Sequence, residues 1–581
     1  MKSFLKYVLA TLLGLIVFNV VLALILFAGV GIAVAGSDKE TTLTEPSVFE
    51  LKLSGTLVER SESSFNKVLS KAMFREQNSE ISLEDILGAI KKAKSNDNIK
   101  GIYLRIGNFY ASSASIEEIY AELKDFKQSG KFVVSYADDY GNGTYFLASI
   151  ADKIYLNPIG SLSLTGISMQ SVYFKDLLDK LGIQVQVFKV GTFKAAVEPF
   201  TQSQMSEANR LQLEAYTSSV WGKITETIAD NRNISVADVM AFADQGSAFD
   251  STQVAVEKHF VDKLIYEHEM EAILADLVGN EYETLSLNEV VNIKEQEIRS
   301  KNRIAIVYAY GEIEDGATEG INSCKLAKEL HSIAENDKIK GVVLRVNSPG
   351  GSAFGSEQIW EAVRAVKEKK PVAVSMGDYA ASGGYYISCN ADRIFAQPTT
   401  LTGSIGIFGM FMNFGQVARK TGVKLETVKT NKYSDLFSID RPMTSEEHAL
   451  LQRTVECGYE LFTQRCASGR EISQDSIKKI AEGRIYSGID ALALGLVDEI
   501  GGIDEAIAFV AQKADISDYK LSYYPAPKDA WQEFMSEFTI SVETRFLKSK
   551  LGENYSIFRD VTDLQKHSGL RATMPYRVSL K

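Results

Sequence analysis

The sequence predicts an α/β protein built from two tandem copies of one module. Short apolar runs typical of buried strands alternate with helical patterns, and this order gives parallel βαβ units. The segment at residues 98–106 returns almost unchanged at residues 338–346, and 143–152 matches 383–392. The offset is constant, because 338 − 98 and 383 − 143 both equal 240. A repeat this long indicates a duplicated domain and not a solenoid unit.

The duplication divides the chain into six predicted parts. Strands in the first module are predicted at Gly101–Ile106, Lys131–Tyr136, Lys153–Leu156 and Gln184–Val190, with helices at Leu83–Lys94 and Ile116–Ser129. The second module repeats the order with strands at Arg303–Tyr308, Gly341–Val346, Pro371–Ser375, Arg393–Ala396 and Lys424–Lys429. The predicted parts are a cytoplasmic stub with a transmembrane anchor (1–36), a tether (37–47), the first domain (48–280), a linker (281–302), the second domain (303–507) and a C-terminal extension (508–581). We expect the extension to pack on the body or to mediate oligomerisation.

The N-terminal segment predicts one transmembrane helix. No charged residue occurs from Tyr7 to Ser37, and a helix needs about 20 apolar residues to span a bilayer. Lys2 and Lys6 precede the run, so the positive-inside rule places the N-terminus in the cytoplasm and the body outside. A signal peptide cleaved after Ala35 is the alternative, but the apolar run is about twice as long as a usual signal core.

Composition excludes several classes of function. The net charge of −12 argues against a nucleic-acid-binding protein, since such proteins carry a basic surface. The four cysteines include no C-x-x-C pair, and the chain has neither a phosphate-binding G-x-x-x-x-G-K-[ST] loop nor an H-E-x-x-H motif. We therefore expect no metal, nucleotide or other cofactor.

Two turns in the second module carry the chemistry. Asn347–Gly351 reads Asn-Ser-Pro-Gly-Gly directly after a predicted strand, and such a turn can present backbone N–H groups to a ligand. A plain strand-to-helix turn is the simpler reading. Ser382 stands between Ala-Ala and Gly-Gly, which leaves steric space for a substrate carbonyl. A helix N-cap is the structural alternative for this serine.

Comparison of the copies separates the serine from a lysine. Position 382 − 240 is Asn142, so the first copy lacks the serine. It retains Lys194 among small and apolar neighbours, and position 194 + 240 is Ser434. One copy has kept the serine and the other the lysine, so each module holds half of one site.

A serine nucleophile needs a base. The five histidines do not occur in small-residue turns, so a Ser-His-Asp triad stays possible but has no support in the sequence. A lysine can act as the base if its pKa falls from about 10.4 to roughly 7–8. Burial against apolar surface can supply this shift, which corresponds to roughly 4 kcal/mol.

Four motifs in this order resemble the signal peptide peptidase A (protease IV) family in its long, duplicated form. They are Phe193–Pro199, Asn347–Gly351, Ala380–Tyr386 and Thr402–Gly406. The resemblance covers essentially the whole chain after the predicted anchor. It implies two tandem Clp protease/crotonase-like domains and a serine peptidase with a Ser/Lys dyad.

The resemblance also assigns roles to particular residues. Ser382 would be the nucleophile, Lys194 the general base, and Ser404 would orient the lysine amine. Backbone N–H groups of three glycines would form the oxyanion hole, namely those of Gly350, Gly351 and Gly383.

The function expected from this resemblance is a membrane-anchored serine endopeptidase at the outer face of a bacterial cytoplasmic membrane. Its substrates would be released signal peptides and other unfolded polypeptides. The family suggests a homo-oligomer, with a tetramer as the expected state. Two alternatives remain: a crotonase-like enzyme acting on acyl thioesters, and a catalytically silent membrane scaffold. Whether one chain or two complete the dyad is also open at this point.

Overall fold

The computed structural model describes residues 41–60, 80–279, 281–294, 299–317, 320–526 and 569–573, with a few positions between 6 and 18. Most of the predicted transmembrane segment lies outside the described residues. Within the described part of the chain, no helix is both long enough and apolar enough to cross a membrane.

Strands and helices alternate along both halves of the chain. The strands are β1 (Ser47–Val58), β2 (Glu80–Ser82), β3 (Ile99–Tyr110), β4 (Phe132–Gly141), β5 (Lys153–Ser163), β6 (Gln184–Lys189), β7 (Lys263–Leu264), β8 (Glu283–Leu285), β9 (Arg303–Tyr310), β10 (Ile313–Glu314), β11 (Ile321–Asn322), β12 (Ile339–Ser348), β13 (Gly350–Ser352), β14 (Val372–Ala381), β15 (Arg393–Ala396), β16 (Leu401–Gly403), β17 (Phe408–Asn413), β18 (Ile485–Tyr486), β19 (Glu499–Ile500), β20 (Lys520–Tyr524) and β21 (Gly569–Thr573). The α-helices are Leu83–Ser95, Ser113–Lys127, Asn142–Ala148, Lys175–Leu181, Glu198–Thr201, Glu207–Arg232, Val236–Asp244, Thr252–Glu257, Met270–Val278, Leu287–Val291, Ser323–Glu335, Ala353–Lys367, Gly383–Ser388, Gly415–Lys420, Ser445–Arg470, Gln474–Ile480, Gly488–Ala493 and Ile503–Lys513. Short 3₁₀ turns occur at Ala195–Val197, Ser247–Phe249 and Glu267–Glu269.

Each module contributes one largely parallel sheet. The first sheet has the order β2-β1-β3-β4-β5-β7, with β8 beside β1, and its pairings are parallel. The second has the order β18-β16-β14-β12-β9-β20, with β15 beside β14, and only β18 pairs antiparallel. Helices cover the sheets, which explains why the central strands read as continuous apolar runs.

Long helices confirm the duplication at the level of structure. Glu207–Arg232 begins at the cap residue Ser206, and Ser445–Arg470 begins at Thr444. In both cases the capping hydroxyl accepts a hydrogen bond from the third backbone N–H of the helix. The two helices also end alike, at left-handed residues with φ of 54° and 55°.

A third sheet joins the modules and carries the site. Its order is β11-β10-β13-β21-β17-β6. Strand β6 belongs to the first module and pairs antiparallel with β17 of the second, from Lys189 opposite Phe408 to Gln184 opposite Asn413. The C-terminal strand β21 lies between β13 and β17 and is antiparallel to both. Segments from three distant parts of the chain therefore meet in one sheet.

The second module continues past residue 507, where its boundary was predicted. Helix Ile503–Lys513 spans that position, and Val510 is buried against the second sheet. Strand β20 then pairs in parallel with β9. Within the predicted linker, β8 pairs with β1 of the first sheet. The second module therefore reaches at least Tyr524 in the described chain.

One predicted strand is wrong. Residues Lys424–Lys429 match β6 at the offset of 240, yet they form no strand and are exposed. Strand β6 forms because β17 pairs with it, and a strand needs a partner for its backbone hydrogen bonds. Residues 424–429 have no such partner strand in the described part of the chain.

Buried charges hold the two modules together next to the glycine turn. The Arg345 guanidinium at the end of β12 contacts Glu59 at 2.9 Å and Glu118 at 2.7 Å, and both carboxylates belong to the first module. Asn347 Nδ2 donates to Glu59 at 2.9 Å and to Asp378 at 3.1 Å. Arg345 and Asn347 lie just before Ser348 and Gly350 in the chain. Their contacts with the first module therefore help to fix the position of the turn.

Candidate active site

Ser382 stands at a sharp turn between β14 and a short helix. Its φ of 57° and ψ of −113° are unusual for a residue with a side chain, and such strain concentrates at functional sites. The backbone N–H donates to Gly403 O at 2.8 Å. Ser382 occupies the N-cap position of Gly383–Ser388, but its side chain makes no capping hydrogen bond. The strained turn therefore directs the hydroxyl elsewhere.

That hydroxyl meets the amine of Lys194, which follows β6 of the first module. The Lys194 Nζ lies 2.7 Å from Ser382 Oγ. It also donates to Ser404 Oγ and to Ser404 O, each at 3.1 Å. Ser382 Oγ lies 3.5 Å from Gly406 O, and no described histidine is among the hydrogen-bond partners of this hydroxyl. The structure thus brings together the predicted serine, lysine and second serine.

Burial sets the charge of this lysine. Lys194 is only 1% exposed. Desolvation lowers its pKa from 10.5 to about 7, because the charged ammonium is disfavoured away from water. Burial is the cause of this pKa shift, and no carboxylate opposes it. A large fraction of the amine is therefore neutral near pH 7 and able to accept a proton.

Two glycines make room for the lysine stem. A Cβ placed on Gly483 would lie 2.6 Å from Lys194 Cβ, and one on Gly406 would lie 3.3 Å from Lys194 Cδ. Gly483 also has a φ of 77°. The sequence predictions did not include Gly483. Gly483 does not belong to a recognisable motif. It matters because the fold brings it against Lys194, which is almost 290 residues away in the sequence (483 − 194).

Ser404 is held in a second strained turn. Its φ is 52°, and its backbone N–H donates to Arg484 O at 2.7 Å. The side chain is buried and places its hydroxyl against the lysine amine. This position suits the predicted orienting role.

Two of the three glycines predicted for the oxyanion hole, Gly350 and Gly383, lie close together beside Ser382, whereas Gly351 packs against the backbone of Ile313. Gly350 and Gly351 have φ of 101° and 156°, a region that favours glycine. A Cβ on Gly350 would lie 2.7 Å from the backbone nitrogen of Gly383 and 2.0 Å from Ala572 O. Only glycine therefore fits at position 350. The carbonyl oxygen of Ala572, from the C-terminal strand, occupies this same corner.

The position equivalent to Ser382 in the first module is Asn142, which has no nucleophilic hydroxyl. Asn142 Oδ1 accepts hydrogen bonds from the N–H groups of Thr165 and Gly166 at 3.0 and 3.3 Å, and its Nδ2 donates to Gly166 O at 3.0 Å. The carboxamide therefore binds the local turn. Ser434, which matches Lys194 in the repeat, is exposed and donates to Asn431 O at 3.0 Å.

Comparison with known protein families identifies the family of the chain. The model of peptidase family S49 matches residues 125–280 and 364–517, and a Clp protease model matches residues 294–401. The chain belongs to peptidase family S49. It is a serine peptidase with a duplicated S49 domain and Clp protease-like α/β modules. The S49 matches fall one in each half of the chain, as the internal repeat predicts.

Full-length relatives show the same family. Protease 4 of Haemophilus influenzae is 34% identical over 515 residues, which cover 84% of this chain and 84% of the relative. Protease 4 of Salmonella typhi is 35% identical, with 90% and 88% covered. The chloroplastic serine protease SPPA of Arabidopsis thaliana is 30% identical, with 81% and 69% covered.

Proposed function

We propose that this S49 peptidase is an endopeptidase with a Ser/Lys dyad, in which Ser382 is the nucleophile and Lys194 the general base. The observation that carries the proposal is the 2.7 Å contact between Lys194 Nζ and Ser382 Oγ. The contact is buried, and the pKa of Lys194 is lowered to about 7. A base works best when its pKa lies near the working pH.

The proposed reaction has two steps. The neutral Lys194 amine takes the proton of Ser382 as Oγ attacks a substrate carbonyl, while Ser404 holds the amine in place. Backbone N–H groups at Gly383 and at Gly350 or Gly351 stabilise the oxyanion. The protonated lysine then gives its proton to the departing amine. Water, activated by the same lysine, hydrolyses the acyl-enzyme.

The proposed substrates are extended, unfolded peptides, including signal peptides released into the membrane. Strands β13 and β17 lie on either side of the site, and in the proposed complex an extended substrate takes the place of β21 between them. Peptides bind sheet edges in this way by adding a strand. The uncharged run from Tyr7 to Ser37 supports anchoring at the outer face of a bacterial cytoplasmic membrane.

The internal repeat supports a homo-oligomer. Within the chain, β6 of the first module pairs with β17 of the second. Shifted by 240, these strands correspond to residues 424–429 and 168–173, and neither segment lies in a strand. Each exposes apolar side chains, with Val428 fully exposed and Val172 60% exposed. We propose that residues 424–429 of one copy pair with 168–173 of the next. A head-to-tail contact gives a ring when its rotation closes, and the proposed assembly is such a ring with four copies.

A labelling experiment on the full-length protein in detergent tests the dyad. Ser382→Ala and Lys194→Met are expected to lose both fluorophosphonate labelling and casein cleavage by at least about a thousandfold, as for other nucleophiles and bases. Ser434→Ala is the matched control, because it changes the repeat-equivalent of Lys194 at an exposed position. Labelling that persists in Ser382→Ala would exclude Ser382 as the nucleophile.

A further inference from the structure

Strand β21 lies between the two strands that flank the site. Strand β21 runs antiparallel between β13 and β17, with Ala572 opposite Gly351 and Arg571 opposite Phe408. Without β21, β13 and β17 would both be open edges flanking the site. An extended segment added between two such edges is the geometry expected for a bound peptide.

The position of Ala572 fixes the register of this segment. Its carbonyl oxygen would lie 2.0 Å from a Cβ on Gly350 and 3.1 Å from one on Gly383. This is the corner that the predicted oxyanion glycines enclose. Ala572 is fully buried, so a larger side chain at this position would have to displace its neighbours. In a substrate aligned with β21, Ala572 corresponds to the residue whose carbonyl is attacked, and Arg571 precedes it.

Arg571 is bound by two carboxylates. Its Nη1 donates to Glu312 Oε1 at 2.6 Å, and its Nη2 donates to Glu314 Oε1. The Arg571 side chain is only 5% exposed. Ile313, between the two glutamates, pairs with Gly351, which ties the carboxylates to the strand that carries the site. Two negative charges around one guanidinium make strong, charge-assisted hydrogen bonds.

We propose that Glu312 and Glu314 form a cation-binding subsite for the side chain that precedes the attacked residue. Residues 569–573 fill this subsite as a substrate-like segment of the enzyme itself. The preferred substrates are then peptides in which a basic residue is followed by a small one at the cleaved bond. This inference rests on the proposed peptidase reaction and adds a specificity to it.

The specificity is measured with two internally quenched peptides, Gly-Leu-Arg-Ala-Thr-Met and Gly-Leu-Gln-Ala-Thr-Met. The full-length enzyme should cleave the arginine peptide with a kcat/KM about tenfold higher or more, since hydrogen bonds between charged groups contribute at this level. In Glu312→Gln/Glu314→Gln the ratio of the two kcat/KM values should fall to near one, because the carboxamides lack the negative charge that favours arginine, and the variant should still react with the fluorophosphonate, which shows that the Ser382 site is intact. Glu335→Gln, an exposed glutamate on a distant helix, is the matched control. Glu312→Lys/Glu314→Lys should prefer Gly-Leu-Glu-Ala-Thr-Met instead.

The tail is tested with Arg571→Glu. Loss of its contacts to Glu312 and Glu314 should weaken occupancy by β21 and lower the KM for the arginine peptide by about tenfold. Arg577→Glu makes the same charge change six residues later in the sequence and serves as the control. An unchanged KM in Arg571→Glu would contradict occupancy of the subsite by the tail.

The outcomes separate this inference from the proposed function. Ser382-dependent cleavage of both peptides with an equal kcat/KM in the unmodified enzyme overturns the cation subsite alone. A ratio that survives in Glu312→Gln/Glu314→Gln does the same. If the unmodified enzyme neither cleaves the peptides nor reacts with the fluorophosphonate, both the dyad and the subsite are overturned.

Discussion

The pH dependence of acylation tests the central feature of the site, the buried amine of Lys194. Burial lowers the pKa of this amine from 10.5 to about 7, and only the neutral amine can take the serine proton. With this pKa, about one-tenth of the enzyme is competent at pH 6 and about nine-tenths at pH 8. The acylation rate should therefore rise about tenfold over this interval and then level off. An amine with an ordinary pKa would give about a hundredfold rise over the same interval, followed by a further rise of similar size up to pH 10.

The assay is the pseudo-first-order rate at which a fluorophosphonate probe without titratable groups labels Ser382. Rates are measured from pH 5.5 to 10 with the full-length enzyme in detergent. Ser434→Ala should give the same profile as the unmodified enzyme. Lys194→Met should be slow and almost independent of pH, because no amine then faces the hydroxyl.

Two results would refute this reasoning. A rate that continues to rise without a plateau above pH 9 would mean that the lysine keeps its ordinary pKa and that burial does not control it. A midpoint near pH 7 that persists in Lys194→Met would assign the titration to another group, such as a histidine.

The other predictions concern stability, packing and assembly. Lys194 binds a proton more weakly in the folded than in the unfolded protein. Burial of this lysine therefore lowers the free energy of unfolding by about 5 kcal/mol at or below pH 7, and this loss disappears as the pH rises towards 10.5. Lys194→Met should therefore resist urea better than the unmodified enzyme at pH 7, with an advantage that shrinks towards pH 10; a difference independent of pH would contradict this. Gly483→Ala places a Cβ 2.6 Å from Lys194 Cβ and should lower kcat/KM about a hundredfold. Gly495→Ala has a similar φ of 74° with nothing within 4 Å and should retain activity; equal losses in the two variants would mean that backbone strain alone is responsible. Val428→Asp should reduce the mass measured by light scattering, whereas Val236→Asp, at another exposed valine, should leave it unchanged; an unchanged mass in Val428→Asp would argue against the proposed contact.

The sequence predicted the strands of both central sheets because they are buried on both faces. Arg393–Ala396 has the predicted bounds, and Gly101–Ile106 lies inside the longer β3. The repeat comparison also selected Ser382 and Lys194 as a pair, since both copies share one fold and differ at these positions. Apolar periodicity and the internal repeat can both be read from the sequence without knowing which segments meet in the fold.

Features that depend on distant partners could not be predicted in this way. Residues 424–429 have the same apolar pattern as β6. They form no strand because no described strand lies beside them, and the pattern alone does not reveal whether such a partner exists. Gly483 lies in an ordinary turn by sequence, and only the fold brings it against Lys194. The extension after residue 507 looks irregular because its strands β20 and β21 are short and join sheets formed far earlier in the chain.

Asn142 and Ser434 stand where the repeat would place a second serine and a second lysine, and these two positions correspond to each other as Ser382 and Lys194 do. Lys194 reaches Ser382 because the first-module segment that begins with β6 crosses onto the second module. By the repeat, the segment that holds Ser434 would cross onto a first module, where Asn142 occupies the serine position. In the proposed ring that first module belongs to the next copy. Asn142 and Ser434 are then the two halves of a single lost site between chains.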